Sequence, residues 1–180
     1  MEKRHFANLL AAAAMIAAPQ IALADSLALS LGPGDHADVA WLVLQLDARK
    51  PLREYDASKL TGHLELAAGY ARGHAGSEQN NELAAFGVTP VLRLERSEGD
   101  LKPFLEGGIG IRFLSDTTIY DSRRFSTSFQ FGELLGMGLR FGSGRAYEIG
   151  IRVEHISNGG IKEPNDGINF AVIRFAYHRI

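Results

Sequence analysis

Long stretches in which apolar and polar residues alternate constrain the fold of this chain more than any other feature. In the stretch that begins at Leu101, apolar side chains at every second position face lysine, glutamate, arginine or glycine on the other side. A period of two is typical of a β-strand, because successive side chains of a strand point to opposite faces of the sheet. The sequence therefore predicts an all-β protein whose strands carry one apolar face and one polar or glycine-rich face.

Eight strands are predicted in this way. They begin near Ser26, Val39, Leu60, Ala84, Leu101, Leu135, Tyr147 and Ile168. Several reach ten residues or more, whereas strands of soluble sheets usually have about five or six. Long polar connections, such as 73–82 and 115–127, alternate with short ones, such as 97–100 and 142–144. These features predict an eight-stranded antiparallel transmembrane β-barrel with up-and-down topology.

Charges of both signs on the polar strand faces distinguish between two kinds of barrel. The predicted inward charges are Glu65, Glu106, Arg112, Arg140, Glu148 and Arg152. A membrane barrel encloses this face, where opposite charges neutralise each other, and eight strands leave an interior that side chains can fill. The alternative is a soluble lipocalin-like barrel, whose apolar face points inward around a ligand. The clustering of opposite charges on one face favours the membrane barrel.

The composition excludes several other classes of protein. Glycine accounts for 20 of 180 residues, and this content argues against a helical bundle. The chain contains no cysteine, which excludes a disulfide-framed secreted module. No segment has 18 consecutive apolar residues, so a transmembrane helix is not predicted. No basic patch stands out, and nucleic acid is therefore not a predicted partner.

The N-terminus has the pattern of a secretory signal peptide. Lys3 and Arg4 precede the apolar run 9–18, which is followed by the small-x-small site Ala22-Leu23-Ala24. Ten apolar residues are too few to span a bilayer as a helix. We therefore predict that residues 1–24 are removed and that residues 25–180 form a single barrel domain in the bacterial outer membrane.

Two residues of catalytic type lie on the apolar face of the predicted seventh strand. The apolar positions from Tyr147 to Val153 continue in register to His155 and Ser157. Residues two apart on one strand face have Cβ atoms about 6–7 Å apart, a distance that an imidazole can bridge. A histidine beside a hydroxyl is the basic unit of serine-type acyl transfer. The alternative is a polar pair at a strand end near the lipid headgroups.

The residues after Ser157 add hydrogen-bond donors to this pair. Glycine at Gly159 and Gly160 allows backbone N–H groups to turn toward a developing oxyanion, and the Asn158 side chain offers a further donor. The same residues are also compatible with an ordinary hairpin loop.

This segment resembles the signature of a known family. His155-Ile156-Ser157-Asn158-Gly159-Gly160-Ile161, followed by Pro164-Asn165-Asp166-Gly167, is similar to the motif of the lipid A 3-O-deacylase (PagL) family of outer-membrane barrels. The resemblance implies an esterase that removes the ester-linked 3-hydroxyacyl chain at position 3 of lipid A, with lipopolysaccharide as the substrate. It implies that Ser157 is the nucleophile, His155 the general base, and Asn158, Gly159 and Gly160 the oxyanion donors. No metal ion or other cofactor is implied.

One position departs from the family pattern. The acidic third residue of the family falls at Asn169, whose carbonyl can accept a hydrogen bond from the imidazole but carries no charge. A weak enzyme, an enzyme that uses another carboxylate (Glu154, Glu163 or Asp166) and a barrel that has lost activity all fit this departure. We hypothesise that Asn169 orients His155 and that an acidic residue at this position raises the rate.

A second function therefore stays open from the sequence. It is a catalytically weak or inactive small outer-membrane barrel with a binding or structural role. The sequence also leaves the oligomeric state open, a homodimer included.

Overall fold

Eight long antiparallel strands form the protein in a computed structural model that describes residues 24–74, 81–120 and 123–179. The strands are β1 (Ser26–Pro33), β2 (Ala37–Asp47), β3 (Ser58–Gly73), β4 (Glu82–Arg96), β5 (Lys102–Leu114), β6 (Phe129–Phe141), β7 (Tyr147–Ser157) and β8 (Ile168–His178). Apart from Ala24, the predicted signal peptide lies outside the described residues. No helix within the described ranges is long and apolar enough to cross a membrane.

The sheet closes on itself. Each strand pairs with its sequence neighbour, and β1 also pairs with β8, so that Ser26 lies opposite His178 and Leu31 opposite Ile173. Short additions are the two-residue strand Arg53–Glu54 against β3, the pair Thr118–Ile119 with Arg123–Arg124, and a 3-10 turn at Ser143–Arg145. The predicted eight-stranded up-and-down barrel is therefore confirmed.

The outer wall of the barrel is apolar. Large hydrophobic side chains such as Leu135, Ile151 and Ile173 are half exposed or more. Aromatic rings flank this band at both ends, as in membrane barrels. One group is Phe113, Phe129 and Phe131, and the other is Phe141, Tyr147 and Tyr177. The apolar strand faces thus point outward, opposite to the lipocalin-like alternative.

The interior contains a closed ring of alternating charges. Its members are Arg93, Arg152, Arg174, Glu65, Glu106 and Glu148, all buried. Arg93 bridges Glu106 and Glu148, at 2.7 Å to each carboxylate. Arg152 bridges Glu106 at 2.6 Å and Glu65 at 2.8 Å. Arg174 bridges Glu65 and Glu148 at 3.2 Å each. Three cations and three anions thus compensate one another away from water, as a buried charge requires.

The predicted inward charges are located as expected. Four of them are members of the ring, and Arg112 is buried on the same inner face. Arg140 also points inward, but near the strand end, where its side chain is 21% exposed and its Nη1 lies 3.5 Å from Glu95. Arg93 and Arg174 complete the ring, although neither was among the charges selected from the sequence.

A loop fills one end of the barrel. Ile119 and Phe125, from the connection between β5 and β6, are fully buried and pack with Trp41 and Phe170. The connections β1–β2, β3–β4, β5–β6 and β7–β8 lie at this end, which we call the loop end. The ends of β1 and β8 nearest the chain termini lie at the opposite end. The predicted catalytic strand segment ends at the loop end.

Candidate functional site

His155 and Ser157 lie on the outer wall at the loop end of β7. Both side chains are partly exposed, whereas Glu154 and Ile156 between them point inward and are buried. This is the alternation that the sequence predicts. Because Glu154 faces the interior, it lies on the opposite face of the strand from His155.

Antiparallel pairing brings His155 next to Asn169. The two residues are register partners in β7 and β8, and the imidazole Nδ1 lies 2.8 Å from the Asn169 Oδ1. An amide oxygen only accepts hydrogen bonds, so Nδ1 carries the proton and donates it. The neutral imidazole then has its lone pair at Nε2, which is the atom a general base uses. The structure thus brings together two of the predicted site residues.

Asp35 forms hydrogen bonds with the other side of Asn169. It lies in the turn between β1 and β2, and its Oδ2 accepts hydrogen bonds from the Asn169 side-chain Nδ2 at 2.9 Å and backbone N at 3.1 Å. The Asp35 backbone N in turn donates to the Asn169 carbonyl at 3.0 Å. The bonds from the Asn169 side chain and backbone hold the pKa of Asp35 below its ordinary value.

Sequence reasoning missed Asp35. The residue follows Gly32-Pro33-Gly34, so that it reads as an ordinary turn residue. Its distance along the chain from Asn169 is 134 residues, and only closure of the barrel between β1 and β8 brings the two together. No local motif signals this contact.

Asn158 is fully buried and holds the loop that follows Ser157. Its Nδ2 donates to the carbonyls of Phe125 at 2.9 Å and Lys162 at 2.7 Å, and its Oδ1 accepts from the Gly160 N at 2.9 Å. Its backbone N donates to the Asn165 Oδ1 at 3.0 Å. The N–H groups of Asn158 and Gly160 are therefore engaged within the protein.

Gly159 differs from its two neighbours in this respect. Within the described part of the chain, its N–H has no hydrogen-bond partner. Its φ of 65° is in the left-handed region that favours glycine, and a Cβ there would meet the Phe131 ring at 3.1 Å. Of the three predicted donors, Gly159 thus offers the unengaged N–H.

Two loops bind each other beside the site. The backbone N of Arg124 donates to the Asp166 Oδ2 at 2.7 Å across the two loops. Within the second loop, the Glu163 Oε2 accepts from the Asn165 N at 3.0 Å. Arg123 donates to the Gly167 carbonyl at 2.9 Å and approaches the Asp35 carboxylate at 4.0 Å. Glu163 and Asp166, which the sequence offered as substitute acids, thus have other partners.

Gly167 confines the other side of the imidazole. A Cβ on this glycine would lie 2.9 Å from the His155 Cε1 and 3.4 Å from its Nε2, and the φ of 59° is again left-handed. A side chain here would displace the ring, so the glycine of the predicted motif has a steric reason in this structure.

An open groove of about 800 Å³ extends along the outer wall from His155. Its lining includes the apolar side chains of Ile109, Leu135, Val153 and Ala171. The carboxylate of Glu133 also borders it, and Glu133 is the register partner of His155 on β6. Across the described residues, no cluster of three or more His, Cys, Asp or Glu side chains is placed to hold a metal ion.

An apolar outer wall that carries a histidine and a serine beside an apolar groove defines an outer-membrane β-barrel with a lipid-facing candidate site for acyl transfer. The model of the family described as lipid A 3-O-deacylase (PagL) matches residues 35–178, and the chain belongs to this family. The protein is thus located in the bacterial outer membrane.

Individual relatives agree with this assignment. The chain is 35% identical to the lipid A deacylase PagL of Pseudomonas aeruginosa over 127 residues. This alignment covers 71% of this chain and 70% of the relative. It is 38% identical over 74 residues to the lipid A deacylase PagL of Bordetella bronchiseptica, 41% of this chain and 40% of the relative. Its fold matches the crystal structure of the outer membrane enzyme PagL with a TM-score of 0.77 and 26% identity, covering 86% of this chain and 99% of that one.

Proposed function

We propose that this protein is a lipid A 3-O-deacylase that acts as a serine esterase on the ester-linked 3-hydroxyacyl chain at position 3 of lipid A. The observation that carries the proposal is the contact of the His155 Nδ1 with Asn169. It leaves Nε2 without a hydrogen-bond partner among the described residues, on the strand face that also bears Ser157. Membership of the lipid A 3-O-deacylase family and the names of the two relatives support the substrate class.

In the proposed reaction Ser157 is the nucleophile and His155 the general base. The Ser157 hydroxyl passes its proton to the His155 Nε2 while its Oγ attacks the ester carbonyl carbon. The C–O bond to the sugar then breaks, His155 returns the proton to the sugar oxygen, and an acyl-serine ester forms. A water molecule, activated by the same imidazole, hydrolyses this ester and releases the 3-hydroxy fatty acid.

The oxyanion of the tetrahedral intermediate needs hydrogen-bond donors close to Ser157. We assign this role to the Gly159 N–H, which has no partner among the described residues. Asn158 and Gly160 take the supporting role, because their mutual hydrogen bond shapes the loop that presents Gly159. A preorganised donor of this kind typically contributes about 10²–10³ in rate.

The location of the site suits an amphipathic substrate. Membrane barrels have short periplasmic turns and longer extracellular loops, so the loop end faces outward and the site is level with the outer leaflet. Lipid A in that leaflet reaches the wall by lateral diffusion, and its acyl chain has the apolar groove to occupy. No passage through the barrel is needed.

Mass spectrometry of lipid A from cells that express the protein tests this proposal. We expect the wild type to remove one 3-hydroxyacyl chain and Ser157→Ala or His155→Ala to leave lipid A intact. Ser143→Ala, in the exposed turn at the opposite end, is the matched control, and we expect it to retain activity. Unmodified lipid A with a wild-type barrel that shows heat-modifiable gel migration would instead favour the alternative, an inactive barrel with a binding or structural role.

A further inference from the structure

The strongest unexplained feature is the three-bond contact between Asp35 and Asn169. Two of these bonds end on one oxygen of the Asp35 carboxylate, and one of them comes from the side-chain Nδ2 of Asn169. An ionised carboxylate only accepts hydrogen bonds. It therefore holds the Nδ2 end of the Asn169 amide toward itself.

The opposite end of the same amide faces His155. With Nδ2 held by Asp35, the Oδ1 of Asn169 must point toward the imidazole and accept its Nδ1 proton, at 2.8 Å. If the amide turned over, Nδ2 would donate to Nδ1 instead, and the imidazole proton would move to Nε2. That tautomer cannot accept the proton of a serine, and a wrong tautomer at this point costs a serine protease about 10⁴ in kcat.

We propose that Asp35 is a positioning residue that, through the orientation of Asn169, fixes the catalytic tautomer of His155. The inference rests on the proposed function, since it assigns His155 the role of general base. Together Asp35 and Asn169 supply what one acidic residue supplies in the family pattern. The Asn169 amide donates to Asp35 through Nδ2 and accepts from His155 through Oδ1. The Asp35 carboxylate supplies a negative charge that favours the imidazolium formed during the reaction.

Other charged groups surround this chain of contacts. Arg123 lies 4.0 Å from the Asp35 carboxylate, and His36 is the next residue in the turn. Glu133 lies opposite His155 on β6, but no hydrogen bond within the described ranges joins the two. Asp35 is therefore the carboxylate connected to the imidazole, and Glu133 is the competing candidate that an experiment must separate from it.

A variant with little change in shape and its matched control test the proposal in the full-length, folded protein. Asp35→Asn removes the negative charge and replaces the carboxylate with an amide, which can both donate and accept hydrogen bonds. The Asn169 side chain can then form a hydrogen bond with position 35 in either orientation of its amide. We expect kcat on lipopolysaccharide in detergent micelles to fall by at least about tenfold, with KM within about twofold. Asp38→Asn, three residues along, is the control. Asp38 pairs with the exposed His74 at 2.9 Å, and we expect its loss to leave kcat unchanged.

Exchange of the two groups gives the decisive comparison. In the Asp35→Asn/Asn169→Asp double variant, the carboxylate now at position 169 accepts a hydrogen bond from His155 directly and another from the amide now at position 35. We expect this variant to regain at least about tenfold in kcat over Asp35→Asn. Asn169→Asp alone places two carboxylates against each other, one of which must bind a proton, and we expect a change of less than about threefold. A residue with a purely structural role would show no such reversal.

A second measurement does not depend on activity. Long-range ¹⁵N–¹H spectra of the refolded barrel show which imidazole nitrogen carries the proton. The proposal requires Nδ1–H in the wild type and a mixture of both tautomers in Asp35→Asn. It is overturned if Asp35→Asn leaves both kcat and the tautomer unchanged. It is also overturned if Glu133→Gln lowers kcat whereas Asp35→Asn does not. An inactive wild type with the expected tautomers would overturn the proposed function but not the positioning role.

Discussion

His155 on β7 and Asn169 on β8 lie directly opposite each other, with 2.8 Å between the imidazole Nδ1 and the amide Oδ1. Antiparallel pairing sets this contact, because residues in register across two strands have side chains on the same face. On the other side of the amide, Asn169 is bound to Asp35. The three residues therefore form one continuous chain of hydrogen bonds along the outer wall.

This geometry changes the expectation for an acidic residue at position 169. The sequence alone suggested that Asn169→Asp or Asn169→Glu raises the rate. With the Asp35 carboxylate 2.9 Å from the Asn169 side chain, the new carboxylate of Asn169→Asp meets a like charge and gains little. We now expect the gain of Asn169→Asp only when Asp35 is neutralised at the same time.

Gly167→Ala should impair the site by displacing the imidazole. The new Cβ would lie 2.9 Å from the His155 Cε1, closer than real Cβ atoms approach their neighbours. We expect kcat to fall by about 10- to 100-fold, since a small misplacement of a catalytic group has effects of this order. Activity assays on folded protein check this.

The control for Gly167→Ala is Gly99→Ala at the opposite end of the barrel. Gly99 also has a left-handed φ, 92°, but a Cβ there would meet only the Leu101 carbonyl at 3.7 Å. It therefore reproduces the backbone strain without the contact to the imidazole. Equal losses of activity in both variants would contradict the steric explanation.

Asn158→Ala should release the loop that follows Ser157. The substitution removes the donors to the Phe125 and Lys162 carbonyls and the acceptor of the Gly160 N. Each hydrogen bond lost in this way typically contributes about 0.5–1.5 kcal/mol to stability. We expect faster tryptic cleavage after Lys162 and loss of activity, whereas Ser157→Ala should lose activity but keep the wild-type cleavage rate. An Asn158→Ala protein as resistant as the wild type would show that the loop is held by other contacts.

The internal charge ring should respond strongly to the loss of one carboxylate. Glu106→Gln leaves Arg93 and Arg152 with one carboxylate each in the ring. Breaking a buried ion pair by removing one partner typically costs about 3–5 kcal/mol. Urea unfolding in lipid vesicles, followed by the fluorescence of the single tryptophan, measures this loss. Arg140→Gln, whose side chain is partly exposed, should cost much less.

The Asp35–Asn169 contact should persist to acidic pH. Hydrogen bonds from Asn169 lower the pKa of Asp35, so the stabilisation is present above the unfolded value of about 3.9 and is lost as the pH falls through the lower folded value. We expect the Asn169 side-chain amide resonances to stay constant from about pH 8 to pH 5 and to shift with a midpoint below about 3.9. Asp35→Asn should abolish the transition. A midpoint above the ordinary carboxylate value would contradict the contact.

The sequence by itself determined the number of long strands, the faces of those strands and the location of two candidate site residues. Alternation identifies a strand and separates its two faces because side chains repeat every second residue, so His155 and Ser157 were placed on the apolar face correctly. The same alternation placed charges such as Glu106 and Arg152 inside. A short motif added a candidate chemistry, because the proposed catalytic unit lies within a few residues of one strand end.

Only the tertiary structure decided what completes the site. Three arginines and three glutamates form a closed ring because barrel closure brings five strands together, which no single strand's pattern contains. Asp35 meets Asn169 because β1 pairs with β8 at the closing seam, 134 residues apart along the chain. Periodicity is a local property of the backbone, whereas hydrogen-bond partners across a seam depend on the register of the whole barrel. The carboxylate connected to His155 was therefore present in the sequence from the start but could be recognised only in the folded barrel.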